Sequence, residues 1–133
     1  MITFNKETMT FRLDPPSSTY GISILNGGYI IHSYFGGKLG NDDFTYLARP
    51  KEYGFSDSDI FREKHSFLDY IPQEYPTDGL GDFRESALAV TSNQGHNAIE
   101  LKYKSHKIIK GTENLKGLPC VFGKEDECSD RKS

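Results

Sequence analysis

The stretch TYGISILNGGYIIHSYF, residues 19–35, decides the fold. In residues 19–25, Tyr20, Ile22 and Ile24 fall on one face and Gly21 and Ser23 on the other. Successive side chains of a strand point to opposite faces, so this alternation predicts a half-buried strand. Asn26-Gly27-Gly28 follows. Asn-Gly is a strong hairpin signal because both residue types tolerate positive φ. Residues 29–35 then read as the return strand, giving an antiparallel hairpin.

Working outward, residues 1–4 and 10–13 are short strand candidates. Gly36-Gly37 ends the return strand, and Asn41-Asp42-Asp43 reads as a turn or a helix-capping cluster. From residue 49 to 76 periodicity dissolves into Pro, Gly, Ser and Asp mixed with Tyr and Phe. Long ordered loops of this kind are usually functional. Strand signals return at residues 86–90, and Ser92-Asn93-Gln94-Gly95 reads as a turn. Ile99, Leu101 and Tyr103 alternate with Glu100, Lys102 and Lys104, which predicts a long amphipathic strand running to Ile109. Residues 111–119 read as loop. No helix signal exceeds about two turns, and no repeat stands out. The expected fold is all-β: an antiparallel β-sandwich, in part, over residues 1–123. The tail, residues 124–133, has seven charged residues in ten and is expected to be polar and disordered.

Composition narrows the function. The formal charge of −3 and the pI near 5.8 do not suit a nucleic-acid binder, which needs a basic face. The aromatic content of 13%, nine Phe and eight Tyr, argues against a disordered chain. The opening MITFNK has no apolar core of a signal peptide, and no apolar run approaches the ~20 residues of a membrane span. A cytoplasmic location is expected, with no membrane partner. Cys120 and Cys128 fit no common zinc or redox spacing and read as free thiols.

The candidate chemistry is sparse. His32, His65, His96 and His106 make no HxH, HxxxH or HExxH spacing. His32 reads as a partly buried strand residue, and Lys104 and Lys107 beside His106 oppose cation binding. No metal site and no cofactor are expected. There is no GxSxG element and no Walker or dinucleotide glycine pattern, and Gly79-Leu80-Gly81 serves a sharp turn. Lys102, Lys104, Lys107 and Lys110 read as the solvated face of a strand. The most informative segment is DYIPQEYPTDGLGDFRE, residues 69–85. It reads as a rigid, charged, aromatic corner in which Arg84 forks onto a carboxylate such as Glu74 or Asp82.

That segment carries a family resemblance. Pro72-Gln73-Glu74-Tyr75-Pro76, then Gly79, then Gly81-Asp82-Phe83-Arg84-Glu85 and Ala87, resembles the PQEYP-x-x-G-x-GDFRE-x-A block of the family 36 glycoside hydrolases, the α-galactosidases. The opening Ile2-Thr3-Phe4-Asn5 and the Gly28-Tyr29 hairpin resemble the family's first strands. Tyr53-Gly54-Phe55-Ser56 is similar to its YSFSP segment. Residues 101–111, LKYKSHKIIKG, are similar to its LRYxSHRIYKG strand, and Gly117-Leu118-Pro119 to its GLPA. The resemblance runs from residue 1 to about 123.

The resemblance implies an N-terminal antiparallel β-supersandwich, followed in the family by a (β/α)₈ barrel. That barrel carries two aspartates, a nucleophile and an acid/base, and hydrolyses terminal α-galactosides such as melibiose and raffinose with retention. The barrel is not among these residues, so the chain is expected to be a fragment with no catalytic residue of its own. In tetrameric members the N-terminal domain lends an Asp and an Arg to a neighbouring subunit's sugar pocket. Glu52 stands at the Asp position. Lys64 stands at the Arg position in a gap-free alignment, and Arg62 stands there if a small gap is allowed. Two further possibilities are a free-standing carbohydrate-binding sandwich and an inactive remnant of the enzyme. The reading frame downstream discriminates among the three.

Overall fold

The computed structural model describes residues 1–41, 43–47, 68, 71–78, 82, 84–109, 116–117 and 119. Four strands form one antiparallel sheet in sequence order: β1 (Ile2–Asn5), β2 (Thr10–Leu13), β3 (Ser18–Ile24) and β4 (Ile30–Gly37). The chain therefore has the all-β antiparallel class expected from the sequence. Thr45–Leu47 form one turn of 3-10 helix. Asp43 caps it by accepting the Thr45 N–H at 2.9 Å and the Thr45 hydroxyl, the capping alternative for the Asn41–Asp43 cluster.

The β3–β4 pairing is the predicted hairpin. Ile24 lies opposite Ile30 and Ser18 opposite Gly37. The loop is Asn26-Gly27-Gly28, closed by Leu25 N–H to Tyr29 O and Gly28 N–H to Leu25 O, both 2.9 Å. Positive φ falls on the two glycines, at 92° and 88°, and not on Asn26. The register steps between Gly21 and Ile22, because Gly21 faces Tyr34 and Ile22 faces His32. Ser33 is thus an extra residue on β4, a bulge that twists the strand locally. His32 is half-buried on β4, as expected.

The two faces of the sheet differ from the simple reading of β3. Thr19, Gly21 and Ser23 are enclosed, and of the predicted apolar face only Ile24 is, while Tyr20 and Ile22 are half-buried. The cause is the return of the chain across the small-residue face. The Phe44 ring lies on Gly21 so closely that a Cβ there would sit 2.6 Å from ring carbons. Thr19, wholly buried, donates to Asp14 at 2.5 Å and accepts from the Leu39 N–H at 3.0 Å. Ser23 bonds Ser33 at 2.6 Å. The opposite face is aromatic: Phe4 packs on Phe11 at 4.5 Å between centroids, and Tyr20 on His32 at 5.3 Å.

The apolar core sits at the turn end of the hairpin. Tyr29, Ile31 and Ile71 form it, with Leu25 and Leu68 packed against them. Residues 72–74 extend the sheet past β4: His32 N–H donates to Pro72 O at 2.8 Å and Glu74 N–H to Ile30 O at 3.0 Å.

Two strand expectations fail among the described residues. In residues 86–90 the pairing is a single parallel bridge between Leu88 and Thr77. Residues 99–109 join no ladder. A strand exists only where a neighbour supplies backbone partners. Here the backbone contacts are isolated: Ile99 N–H to Asp78 O at 3.1 Å and Tyr103 N–H to Gly28 O at 2.7 Å. Lys102, Lys104 and Lys107 are exposed, as a solvated face requires. The 92–95 turn forms as read, closed by Gly95 N–H to Ser92 O at 2.9 Å with Gly95 at φ 84°.

Candidate functional site

The corner at residues 71–86 is built around one buried carboxylate. Asp82 has a side chain only 1% exposed, and an ion at that depth is tolerated only when its lone pairs are filled. Four donors fill them. Arg84 approaches in a fork, Nε to Oδ1 at 2.9 Å and Nη2 to Oδ2 at 2.7 Å. The Arg84 backbone N–H adds a bond at 3.1 Å, and Gln73 Nε2 another at 2.7 Å. Arg84 Nη2 and Gln73 Nε2 also donate to the Leu68 carbonyl at 2.6 and 3.1 Å. One carboxylate thereby ties residues 68, 73 and 84 into a unit. Burial pushes the Asp82 carboxyl up, but the Arg84 and Gln73 hydrogen bonds outweigh it and hold the group below its ordinary value.

Of the two carboxylates offered to Arg84 by the sequence, the structure selects Asp82. Glu74 instead accepts the phenol of Tyr20 from the aromatic face of the sheet. Burial, then the Glu74 carboxylate, pushes the Tyr20 hydroxyl up to about 12. Ser86 Oγ donates to Asp78 at 3.0 Å and Thr77 Oγ1 to the Ile99 carbonyl at 2.8 Å, carrying the corner on to the next segment. That segment is latched by Glu100, which accepts from Tyr29 and pairs with Lys102 at 2.8 Å. Lys102 also lies over the Tyr29 ring, 5.6 Å from its centroid. The Lys102 and Tyr29 bonds hold Glu100 below the usual carboxylate range.

Sequence reasoning missed both tyrosine–glutamate pairs. Their partners lie 54 and 71 residues apart, beyond any local pattern. Glu52, Lys64 and Arg62, the residues matched to the sugar pocket, lie outside the described residues. So do Cys120, Cys128, His65, Gly79 to Gly81 and the tail 124–133. His106 stacks on Phe4 and Phe11, at 4.3 and 4.8 Å between centroids, and bonds Tyr103 at 2.7 Å. Among the described residues no group of three His, Cys, Asp or Glu could hold a metal, and no helix is long and apolar enough to cross a membrane. The corner is a scaffold: Glu74, Asp78, Asp82 and Glu100 are each already engaged as acceptors.

An antiparallel β domain with a PQEYP…GDFRE corner defines a class, and the comparisons give it a name. The family model described as glycosyl hydrolase family 36 N-terminal domain matches residues 28–131. The chain belongs to that family. Alpha-galactosidase Mel36A of Lactobacillus acidophilus is 37% identical over 129 residues, covering 96% of this chain and 18% of its own length. The solved galactosidase domain of the alpha-galactosidase-sucrose kinase AgaSK, from Mediterraneibacter gnavus, superposes with a TM-score of 0.83 at 33% identity, over 96% of this chain and 18% of that one. A variant of AgaA from Geobacillus stearothermophilus, solved with raffinose, gives 0.75 at 30% identity over 88% of this chain and 16% of that one. This chain thus spans less than a fifth of the length of the relatives it matches.

Proposed function

We propose that this chain is an N-terminal accessory part of an α-galactosidase. In the complete enzyme it helps the subunits assemble and shapes a neighbouring subunit's pocket for terminal α-galactosides such as melibiose and raffinose. The observation that carries this reading is family membership combined with a span of 14–18% of the matched relatives. Residues 1–123 act as part of one β-sandwich domain. Glu52 accepts hydrogen bonds from sugar hydroxyls, and Lys64 or Arg62 donates to them. The corner fastened through Asp82 is a structural bracket of that domain. The chain takes no cofactor and works in the cytoplasm. Alone it hydrolyses nothing, because a retaining glycosidase needs two carboxylates about 5–5.5 Å apart on a rigid frame, and Glu74, Asp78 and Asp82 of the corner are committed to structure.

The test is to place this segment in a complete family enzyme and measure kinetics and melting together. Glu52→Ala is expected to cut kcat/KM by about 1.5–3 kcal/mol of transition-state binding, the worth of one hydrogen bond to a charged group. Unchanged kinetics would remove Glu52 from the site. Turnover of a chromogenic α-galactoside by the isolated chain, abolished by mutating one of its carboxylates, would refute the accessory role.

A further inference from the structure

A concavity lies on the small-residue face of the sheet, away from the corner. It has a volume of about 300 Å³, and its polar lining is Thr3, Asn5, Thr8, Thr10, Arg12, Asn41 and Asp43. The register explains the gathering: Thr3 faces Arg12 and Asn5 faces Thr10 across β1 and β2, so these four side chains share one face. Phe44 closes the floor, its ring turned onto Gly21.

The polar groups are only partly used. Asn5 Oδ1 accepts the amides of Glu7 and Thr8 at 2.9 and 3.3 Å, which leaves its amide donors over. Thr8 and Thr10 share one hydroxyl bond of 2.8 Å. Arg12 gives Nε to Asp14 at 2.6 Å and one N–H from each terminal nitrogen to the carbonyls of Gly40 and Leu39. Two guanidinium N–H groups remain, since Arg carries five donors. Asp43 uses Oδ1 on Thr45, leaving Oδ2. The Arg12 charge is balanced by Asp14, and Asp43 supplies a second carboxylate. The cleft therefore offers donors and acceptors together with no excess positive charge.

That balance discriminates between ligand classes. An anion would meet the Asp43 carboxylate, and a metal cation would find no group of three His, Cys, Asp or Glu side chains among the described residues. A neutral molecule whose every polar group both donates and accepts, a sugar, matches the set. We propose that this cleft is a carbohydrate subsite that grips one sugar unit through its hydroxyls. It offers no open aromatic face for stacking, so binding is weak and set by hydrogen bonds. The proposal takes from the family reading only its choice of probe.

The experiment is a titration of the full chain with D-galactose and with raffinose, followed by amide chemical shifts, with inorganic phosphate as the counter-probe. Saturable shifts are expected at residues 3, 5, 8, 10, 12 and 41, with none from phosphate. Thr3→Val removes a hydroxyl at constant shape. Asn5→Asp keeps the turn acceptor and removes the amide donor. Each should weaken sugar binding about threefold to tenfold while leaving shifts of β3 and β4 in place. Absence of saturable shifts in the parent chain, equal affinity in both variants, or equal response to phosphate would each overturn the subsite. None of these results depends on Glu52 kinetics, so this proposal and the accessory role fail separately.

Discussion

The hairpin sheet of residues 1–37 and the segment of residues 71–109 are held by different forces. In the first, backbone ladders run strand to strand and adjacent strands are close neighbours in sequence. In the second, the described residues form isolated backbone bonds and no ladder, and side chains do the fastening: Tyr20 to Glu74, Gln73 and Arg84 to Asp82, Thr77 to Ile99, Tyr29 to Glu100. A ladder shares its energy over many equivalent backbone bonds, so no single polar side chain decides it. A strap concentrates it in a few charged hydrogen bonds, each worth about twice a neutral one. The first region should therefore be sensitive to packing and the second to single polar atoms and to pH.

The sharpest way to break this contrast is at the one cluster both regions share. Ile31→Ala, at a residue 2% exposed against Ile71, should cost about 2–5 kcal/mol in urea unfolding. It should loosen both regions at once. Loss confined to residues 71–109 would mean the sheet does not need that core.

Asp82→Asn should cost about 1.5–3 kcal/mol and lower hydrogen-exchange protection at residues 71–78 more than in β3 and β4. Asp82 is depressed below 3.8 in the folded state. Its contribution is therefore present above the ordinary carboxylate value and is lost as pH falls through the lowered one. The parent should lose strap protection below about pH 4, and the Asn variant should lack that acid step. Equal loss of protection in the sheet would erase the distinction between the two regions.

Tyr20→Phe should cost about 1 kcal/mol, since half-buried Glu74 regains water. Tyr20 is raised from 10.0 to about 12. The stability it adds is complete below pH 10 and disappears as pH rises towards 12. Spectrophotometric titration of the variant should lack the late phenol of Tyr20. The smallest effect is expected from Glu100→Gln, about 0.2–1 kcal/mol, because Lys102 is 47% exposed and solvent screens the pair.

The same contrast separates what was legible in the sequence from what was not. The 19–35 hairpin was readable because alternation and a glycine loop are local. The fork of Arg84 was readable because its two candidate carboxylates lay within ten residues, and only the choice of Asp82 over Glu74 needed the structure. The enclosed face of β3 was not readable. Tyr20, Ile22 and Ile24 are the larger apolar side chains, yet it was the smallness of Gly21 that drew Phe44 across the other face. The alternation at residues 99–104 is real, but alternation records exposure on two sides and not the presence of a neighbouring strand. The cleft on β1 and β2 has a local signal: Thr3 and Asn5 alternate with Phe4, and Thr10 and Arg12 with Phe11. Glu52 and Lys64 rested on resemblance alone, and no pattern in the surrounding residues pointed to them.

The Phe44–Gly21 contact has an evolutionary consequence. Any side chain at position 21 meets the ring at 2.6 Å, and overpacking of this kind costs about 1–3 kcal/mol. A smaller residue at position 44 leaves a void above a bare glycine, which costs about as much or more. Either change alone descends into a fitness valley that the two together would cross, because residues in contact do not mutate independently. Across descendants of this fold the two positions should change hands as a pair, a lock and its key inherited together.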